Sequence, residues 1–532
     1  MQRSQLLDRL AQPRRYDLAV IGGGATGLGV ALDAAARGLS VVLLESHDFA
    51  GGTSSRATKL VHGGVRYLAQ GNLSLVREAL HERTTLLRNA PHLAQPLAFI
   101  MPAYRWWELP FYGVGLKAYD ALAGAAGLGR TEFLGRGEAL QALPTLRGEG
   151  LKGGVRYWDG QFDDARLAVA LARTAAREGA LVVNHCEVTG LAHEAGRVTG
   201  LHARDRETGR TFQVQAGCVV NATGVWVDAL RQRDGEATGR AVRPLVTPSQ
   251  GVHLVVDADF LAGRQALLVP RTADGRVLFA VPWLGKVILG TTDTPRDDLP
   301  REPQAQDAEV DFILSEIGRY LVRTPTRQDV RSQWVGLRPL VRPGQEEAGA
   351  TRAISREHTV QTSPSGLVTV TGGKWTTYRA MAQDVLAHCA DQGLLDPLLT
   401  ESKKGVTTNL PLVGAQAAAR ANDLGQPPGL HLYGAEAPAI QALPGADRVL
   451  GGGLTEAMVR FAARHEYART VEDVLARRSR LLFLDARLAA DLAGEVAALL
   501  RQETGADPQE ADFRTLGGTY LPAAEGPAMT SA

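Results

Sequence analysis

Tyr16-Asp17-Leu18-Ala19-Val20-Ile21 runs without a break into Gly22-Gly23-Gly24-Ala25-Thr26-Gly27, and a second apolar run, Ser40 to Leu44, ends on Glu45. The pattern predicts a strand, a G-x-G-x-x-G turn opening a helix, and a second strand with an acid at its tip. Gly22 makes the tight turn, Gly24 lets backbone amides approach a pyrophosphate, and Gly27 lets helix and strand pack closely. The helix start adds N–H groups and a partial positive charge for the phosphates. Glu45 stands 18 positions past the last glycine (45 − 27), where a carboxylate accepts both hydroxyls of an adenosine ribose and repels a 2′-phosphate. Alone, the glycine pattern fits an ordinary glycine-rich loop equally well. With both strands, the helix residues Ala31, Ala34 and Ala35, a stop at Gly38 and the acid, it reads as a dinucleotide site that disfavours NADP.

Working outward, 532 residues exceed one usual core, so two or three domains are expected. A hydrophobic content of 45% with 22% charged residues describes a soluble globular protein. The net charge of +1 offers no general attraction to DNA or RNA, so no nucleic-acid role is expected. Cys186, Cys218 and Cys389 lie far apart with no C-x-x-C pair, which argues against an iron–sulfur cluster, a zinc ribbon or a disulfide framework. No metal site is expected. The first residues, interrupted by Asp8, lack the apolar core of a signal peptide. No apolar run reaches the roughly 20 residues of a membrane span. The expectation is a reduced, cytoplasmic protein.

Residues 1–15 read as a short helical lead-in, Leu73–Arg88 and Asp164–Gly179 as helices, and Leu181–Val183 as a strand. Gly217 to Gly224 reads as a buried strand ending in a second glycine turn. Gly251–Val256, Arg276–Pro282 and Lys286–Gly290 are expected to be antiparallel strands, with a hairpin tip at Leu284-Gly285. Leu367–Thr371 is one more strand, after which Gly372-Gly373-Lys374 opens a helix through Tyr378, Met381 and Val385. Beyond the polar break Glu401–Lys404 the pattern turns helical, including one helix over Arg480–Leu500 with Leu481, Leu484, Leu488, Leu492 and Val496 in register. The tail from Pro522 reads as disordered. Gly63–Tyr67 recurs as Gly153–Tyr157, a single short match from which no repeat architecture follows.

The stretch after Glu45 separates FAD from NAD. An NAD dehydrogenase usually builds both halves of its nucleotide site from one continuous fold. Here Gly51 to Leu68 brings Thr53 and Ser54, whose hydroxyls can donate to a pyrophosphate, and a double glycine at Gly63-Gly64 that lets backbone lie against a flat ring. The Asn221–Gly224 turn can return to the same region, and Gly372-Gly373 supplies a third glycine element. A helix start there, aimed at the flavin pyrimidine edge, would stabilise the anion that develops on reduction.

Taken together, the segments IGGGATGLGVALDAAARGLSVVLLE (21–45), TSSRATKLVHGGVRYL (53–68), NATGVW (221–226), GTTDT (290–294), VGLRPL (335–340), AISREHT (353–359) and TGGKWTTYR (371–379) resemble the FAD-dependent glycerol-3-phosphate dehydrogenases, of the glycine-oxidase/D-amino-acid-oxidase-like flavoprotein superfamily. HEYARTVEDVLARRSRLLFLDA (465–486) resembles the helical C-terminal part of that family. The resemblance implies an α/β protein: a Rossmann-like FAD-binding domain (1–98, 155–245 and 345–398) with an inserted, mainly antiparallel β substrate or cap domain (99–154 and 246–344). An all-α C-terminal domain (405–522) and a disordered tail (523–532) follow. The related glycerophosphate oxidases carry an insertion in the substrate region that is not visible here, which favours a quinone acceptor.

The same resemblance implies oxidation of sn-glycerol 3-phosphate to dihydroxyacetone phosphate with FAD as hydride acceptor. It assigns the phosphate-holding cations to Arg66, Arg338, Arg356 and Lys374. Arginine suits paired contacts to phosphate and lysine adds a point charge. The residue before Pro339 is restricted to extended backbone, which fixes the direction of Arg338. Cofactor contacts are expected from Gly22, Gly24, Gly27 and Glu45, from Thr53, Ser54, Lys59 and Leu60, and from Gly224, Gly373 and Thr376. His62, four residues before Arg66, would share one face with it on a helical turn. Its ordinary pKa near 6.5 suits removal of a hydroxyl proton. The competing reading is a histidine that only hydrogen-bonds the flavin or packs beside it, and His253 is a weaker rival base.

A quinone acceptor requires contact with a bilayer. Tyr104-Arg105-Trp106-Trp107-Glu108-Leu109-Pro110-Phe111-Tyr112, with Leu116, Lys117 and Tyr119, has the composition of an interfacial patch, aromatic rings beside cations. The same aromatics would also serve to cover the flavin or complete the substrate-domain core. The expected location is the cytoplasm, peripherally attached to the inner face of the membrane; monomer and homodimer both stay open. Two other functions compete: an amine or amino-acid oxidase of the same superfamily, and a flavin-bound redox sensor or scaffold without turnover.

Overall fold

The computed structural model describes residues 2–64, 72–342, 358–401, 403–415 and 423–523. Arg66 and Arg356, two of the expected cations, lie outside the described residues, as do residues 524–532 of the expected tail.

The opening stretch forms strand Arg15–Ile21, the glycine turn, helix Ala25–Arg37 and strand Val41–Leu44. Gly38 ends the helix at φ +96°, a left-handed cap that an L side chain rarely adopts. Strand Arg15–Ile21 lies between Val41–Leu44 and Thr211–Asn221, parallel to both. Leu181–Val183 and Leu367–Gly372 extend the parallel run on either side. His358–Thr362 and the hairpin Cys186–Glu194/Arg197–Asp205 add antiparallel strands. Leu18-Ala19-Val20 and Val41–Leu44 are buried on both faces, which is why they read as continuous apolar runs rather than as alternation.

A second, ten-stranded sheet is mostly antiparallel. Lys286–Gly290 pairs with Val246–Asp257 on one side and Leu278–Trp283 on the other, and Ser332–Val341 pairs with Val246–Asp257. Leu284 and Gly285 form the hairpin tip, both at positive φ. The sheet also takes in Ala94–Ala103, Gly153–Phe162 and the two-residue strand Leu60–Val61. The limits expected at 98/99 and 154/155 therefore cut through it. Gly153–Phe162 pairs residue for residue with Ala94–Ala103, so this segment belongs with the antiparallel sheet.

Helix Asp307–Gly318 covers one face of this sheet, over Val252, Leu254 and Leu289. The C-terminal helices cover the other, where Phe483 meets Trp334 edge-on at 5.1 Å. The expectation of an all-α C-terminal part needs one amendment, the small hairpin Val449–Gly451/Leu454–Thr455. The helix expected over Arg480–Leu500 is two helices, Leu481–Leu484 and Ala486–Thr504. Asp485 between them is extended (φ −154°, ψ 97°) and its carboxylate accepts from the amide of Leu488 as an N-cap. Leu481, Leu484, Leu492 and Val496 face one core across the break, so their spacing could not reveal it.

Candidate active site

A cleft of about 1,710 Å³, counting its open mouth, runs along the C-terminal ends of the parallel strands. Ile21, Leu44, Ala222 and Gly372 line it, each at or just past the end of its strand, where open α/β sheets place their ligands. Gly22 turns the chain at φ +109°; a Cβ there would sit 2.6 Å from the carbonyl oxygen of Ala222. Gly24 caps helix Ala25–Arg37 and faces the cleft. The carboxylate of Glu45 accepts from Gly23 N at 2.7 Å and from His47 N at 2.9 Å, so it braces the glycine turn from the wall of the cleft. Burial holds the nearby His47 imidazole down to about 3, with Arg301 and Arg206 adding to the effect.

The short turn Thr53–Ser55 is the crosspiece of the site. The hydroxyl of Ser54 accepts from Ala25 N at 3.0 Å, at the start of the nucleotide helix. The Ser54 carbonyl accepts from the indole N–H of Trp375 at 2.8 Å, and Thr53 Oγ1 donates to the carbonyl of Leu337 at 2.6 Å. Through these bonds the turn joins the helix start, the Gly372–Thr376 turn and the strand that carries Arg338.

The expected cofactor contacts divide. Gly22, Gly24, Glu45, Thr53, Ser54, Gly224 and Gly373 line the cleft. Gly27, Lys59, Leu60 and Thr376 do not. Gly27 is buried beneath the turn, where a Cβ would overlap the carbonyl oxygen of Gly22, so its role is close packing of helix on strand. Lys59 is fully buried in an ion pair with Asp164 at 2.7 Å, among the rings of Trp283, Trp334 and Phe483. Burial pulls its pKa down to about 7 against the opposing pull of Asp164. Leu60 is buried in its two-residue strand. Thr376 acts on the chain: its hydroxyl accepts from His62 N at 3.2 Å and lies 3.4 Å from the His62 carbonyl.

Among the expected reactive groups, Lys374 lines the cleft, whereas Arg338 and His62 do not. Arg338 lies on strand Ser332–Val341 between Leu337 and Pro339, the latter a cleft residue. Its guanidinium is paired with Asp293 at 3.1 Å and donates to the carbonyl of Thr292 at 3.0 Å. Gly251 on the neighbouring strand leaves room for it, since a Cβ there would overlap the guanidinium. His62 follows strand Leu60–Val61 and is not helical, and Gly64 has φ +78°, so the helical face expected for His62 and Arg66 does not begin at His62. His253 is unsuited to a base. Its ring is buried and stacked on Trp334 at 5.2 Å, and Nε2 lies 2.9 Å from Thr58 Oγ1. Burial, then Lys59 and Arg338, hold it well below the usual imidazole range.

Sequence reasoning missed Arg301 and Trp226, which also line the cleft. Arg301 is held by Glu472, 171 residues away, and Leu299-Pro300-Arg301 carries no motif that could have signalled it. Among the described residues, one trio with metal-ligand chemistry comes together, Asp48, His185 and Asp473. Its acceptors are already used: Arg478 donates to Asp48 at 2.9 Å, Arg477 to Asp473 at 2.8 Å, and His185 lies 2.9 Å from Asp473.

Comparison with known proteins agrees with this geometry. Residues 17–381 match the model of the FAD dependent oxidoreductase family, and residues 405–511 match that of the C-terminal domain of alpha-glycerophosphate oxidase. A probable mitochondrial glycerol-3-phosphate dehydrogenase of Caenorhabditis elegans is 41% identical over 541 residues, covering 94% of this chain and 72% of that protein. The chain belongs to the FAD-dependent glycerol-3-phosphate dehydrogenase family. A mitochondrial member from Schizosaccharomyces pombe is 37% identical over 96% of this chain and 87% of its own. The crystal structure of the Bacillus halodurans glycerol-3-phosphate dehydrogenase complexed with FAD superposes with a TM-score of 0.76 at 29% identity, covering 98% of both chains. A cleft at the strand ends, a cradle that tolerates no Cβ at Gly22 and an acid at the second strand tip fit the FAD of this family.

Proposed function

We propose that this chain oxidises the secondary alcohol of sn-glycerol 3-phosphate to dihydroxyacetone phosphate and passes the electrons to a membrane quinone. The observation that carries this reading is the convergence on Thr53–Ser55. One short turn ties the nucleotide helix to the Lys374–Trp375 turn and to the strand of Arg338. Bound FAD supplies the hydride acceptor.

The chain's own residues supply the rest. Lys374 and Arg338, with Arg66 and Arg356, hold the phosphate and so turn the carbinol hydrogen toward the cofactor. Asp293 and the Thr292 carbonyl fix the Arg338 guanidinium before substrate arrives, so little side-chain entropy is lost on binding. Thr376 clamps the backbone of His62, and the imidazole takes the hydroxyl proton, directly or through one water.

Membrane attachment is supported by the split of the aromatic segment. Leu116 and Tyr119 of helix Glu108–Ala123 are buried, whereas Trp106 is 78% exposed and Phe111 and Val114 are each 68% exposed. That is an apolar patch beside Arg105 and Lys117, suited to the headgroup region of a bilayer. No helix among the described residues is long and apolar enough to cross a membrane.

The deciding experiment is an anaerobic absorption spectrum of the purified flavoprotein before and after glycerol 3-phosphate. The flavin band should bleach with that substrate and stay with sarcosine or a D-amino acid. Bleaching by the amine instead would replace the proposal with an amine oxidase, and no bleaching with any of them would leave a non-catalytic flavoprotein.

A further inference from the structure

The C-terminal part of the chain reaches, with one buried side chain, the turn that borders the cleft. Arg480 follows the wide helical turn Asp473–Arg478, has φ +67° and is completely buried. Its Nη2 donates to the carbonyl of Ser55 at 2.8 Å and to Asp164 Oδ1 at 3.0 Å, and its Nη1 to the carbonyl of Ala476 at 2.6 Å. Lys59 donates to the same carbonyl, Ser55 O, at 2.8 Å and to the other carboxylate oxygen of Asp164, Oδ2, at 2.7 Å. Two cations from distant parts of the chain therefore hold one carbonyl. Asp163 and Asp164 balance them, and Phe483 walls them in at 4.2 Å from the guanidinium carbon. The carbonyl they hold ends the Thr53–Ser55 turn, one residue after the hydroxyl that accepts from Ala25 N at the cleft. The same C-terminal stretch grips the cleft a second time, where Glu472 holds the cleft residue Arg301.

We propose that Arg480 is a positioning residue for the flavin: through Ser55 it sets where Ser54 and the start of helix Ala25–Arg37 stand, so that FAD affinity depends on the C-terminal domain. The inference rests on the cleft being the FAD site. Lysine at position 480 would keep the charge but lose the planar fork that reaches Ser55, Asp164 and Ala476 at once. A side chain that only braced the fold would lower stability and leave the affinity of the folded protein alone. A positioning residue couples to Ser54, and by linkage FAD must protect the Arg480 segment by the factor with which that segment strengthens FAD binding.

The test uses the full chain. FAD is stripped and titrated back into wild type, Arg480→Lys, Ser54→Ala and the double variant. Arg480→Lys should weaken FAD by about tenfold or more, and the double variant should lose less than the product of the two single losses. FAD affinity of Arg480→Lys within about twofold of wild type, or losses that simply multiply, would overturn the proposal. In wild type, where no variant has to fold, amide exchange over residues 473–484 should slow when FAD is restored; equal exchange with and without FAD would overturn it as well. Failure of wild type to take up FAD at all would instead sink the reading of the cleft, a separate outcome.

Discussion

Gly24 and Gly27 belong to one motif but do different physical work, and replacing each by alanine separates the two. Gly24 has φ −82°, ψ −177°, a conformation alanine adopts, and an added Cβ would meet only the rotatable Ser54 hydroxyl at 3.1 Å. At this N-cap position alanine is less favoured than glycine, so the apoprotein should lose about 1 kcal/mol or less. The methyl would project into the cleft wall where backbone amides approach the cofactor pyrophosphate. Loss of one charge-assisted contact costs about 1.5–3 kcal/mol, or roughly 10- to 150-fold in FAD affinity. At Gly27 the added Cβ would overlap the Gly22 carbonyl oxygen, a backbone atom that cannot rotate away. Helix and strand must separate, at about 1–3 kcal/mol of overpacking, and the cost falls on the apoprotein. Thermal denaturation of both apoproteins and titration with FAD, followed by quenching of flavin fluorescence, distinguish the two. If Gly24→Ala binds FAD within about twofold of wild type, or melts as early as Gly27→Ala, the division of roles is wrong.

Three further outcomes are expected. His62→Asn should slow flavin reduction by about 10²- to 10⁴-fold while changing substrate affinity far less; an unchanged stopped-flow rate places the base elsewhere. Trp106→Ser with Trp107→Ser should release the protein from lipid vesicles and leave dye-linked activity intact, whereas loss of both would make these rings part of the fold. Burial, with Arg166 beside it, holds His92 down to about 3. The unfolded chain takes that proton near pH 6.5 and the folded one resists it, so stability is fully present above pH 6.5 and falls by up to about 1.4 kcal/mol per pH unit below it. His92→Gln should flatten this slope in denaturant melts at pH 6.5 and 5, and an undiminished slope would refute the assignment.

The parallel sheet and its glycine turn were legible because each needs a local pattern: apolar runs, a glycine where φ is positive, an acid at a strand end. Leu181–Val183 and Lys286–Gly290 fall at the expected residues for the same reason. The expected limit at 154/155 split the strand Gly153–Phe162 because a strand buried on nearly every residue does not announce which sheet it will join. Lys59 stood in the right motif, yet its side chain turned to Asp164, 105 residues away.

By itself, the amino-acid order determined the nucleotide fold, the flavin class and the motif carrying Lys374, since these depend on short-range geometry and chemistry. Only the tertiary structure decided which of the motif residues face the cleft, that Arg301 joins them, and that Arg480 braces the turn beneath. Those facts depend on contacts hundreds of residues apart, where burial and charge pairing choose the partner and no local spacing records the choice.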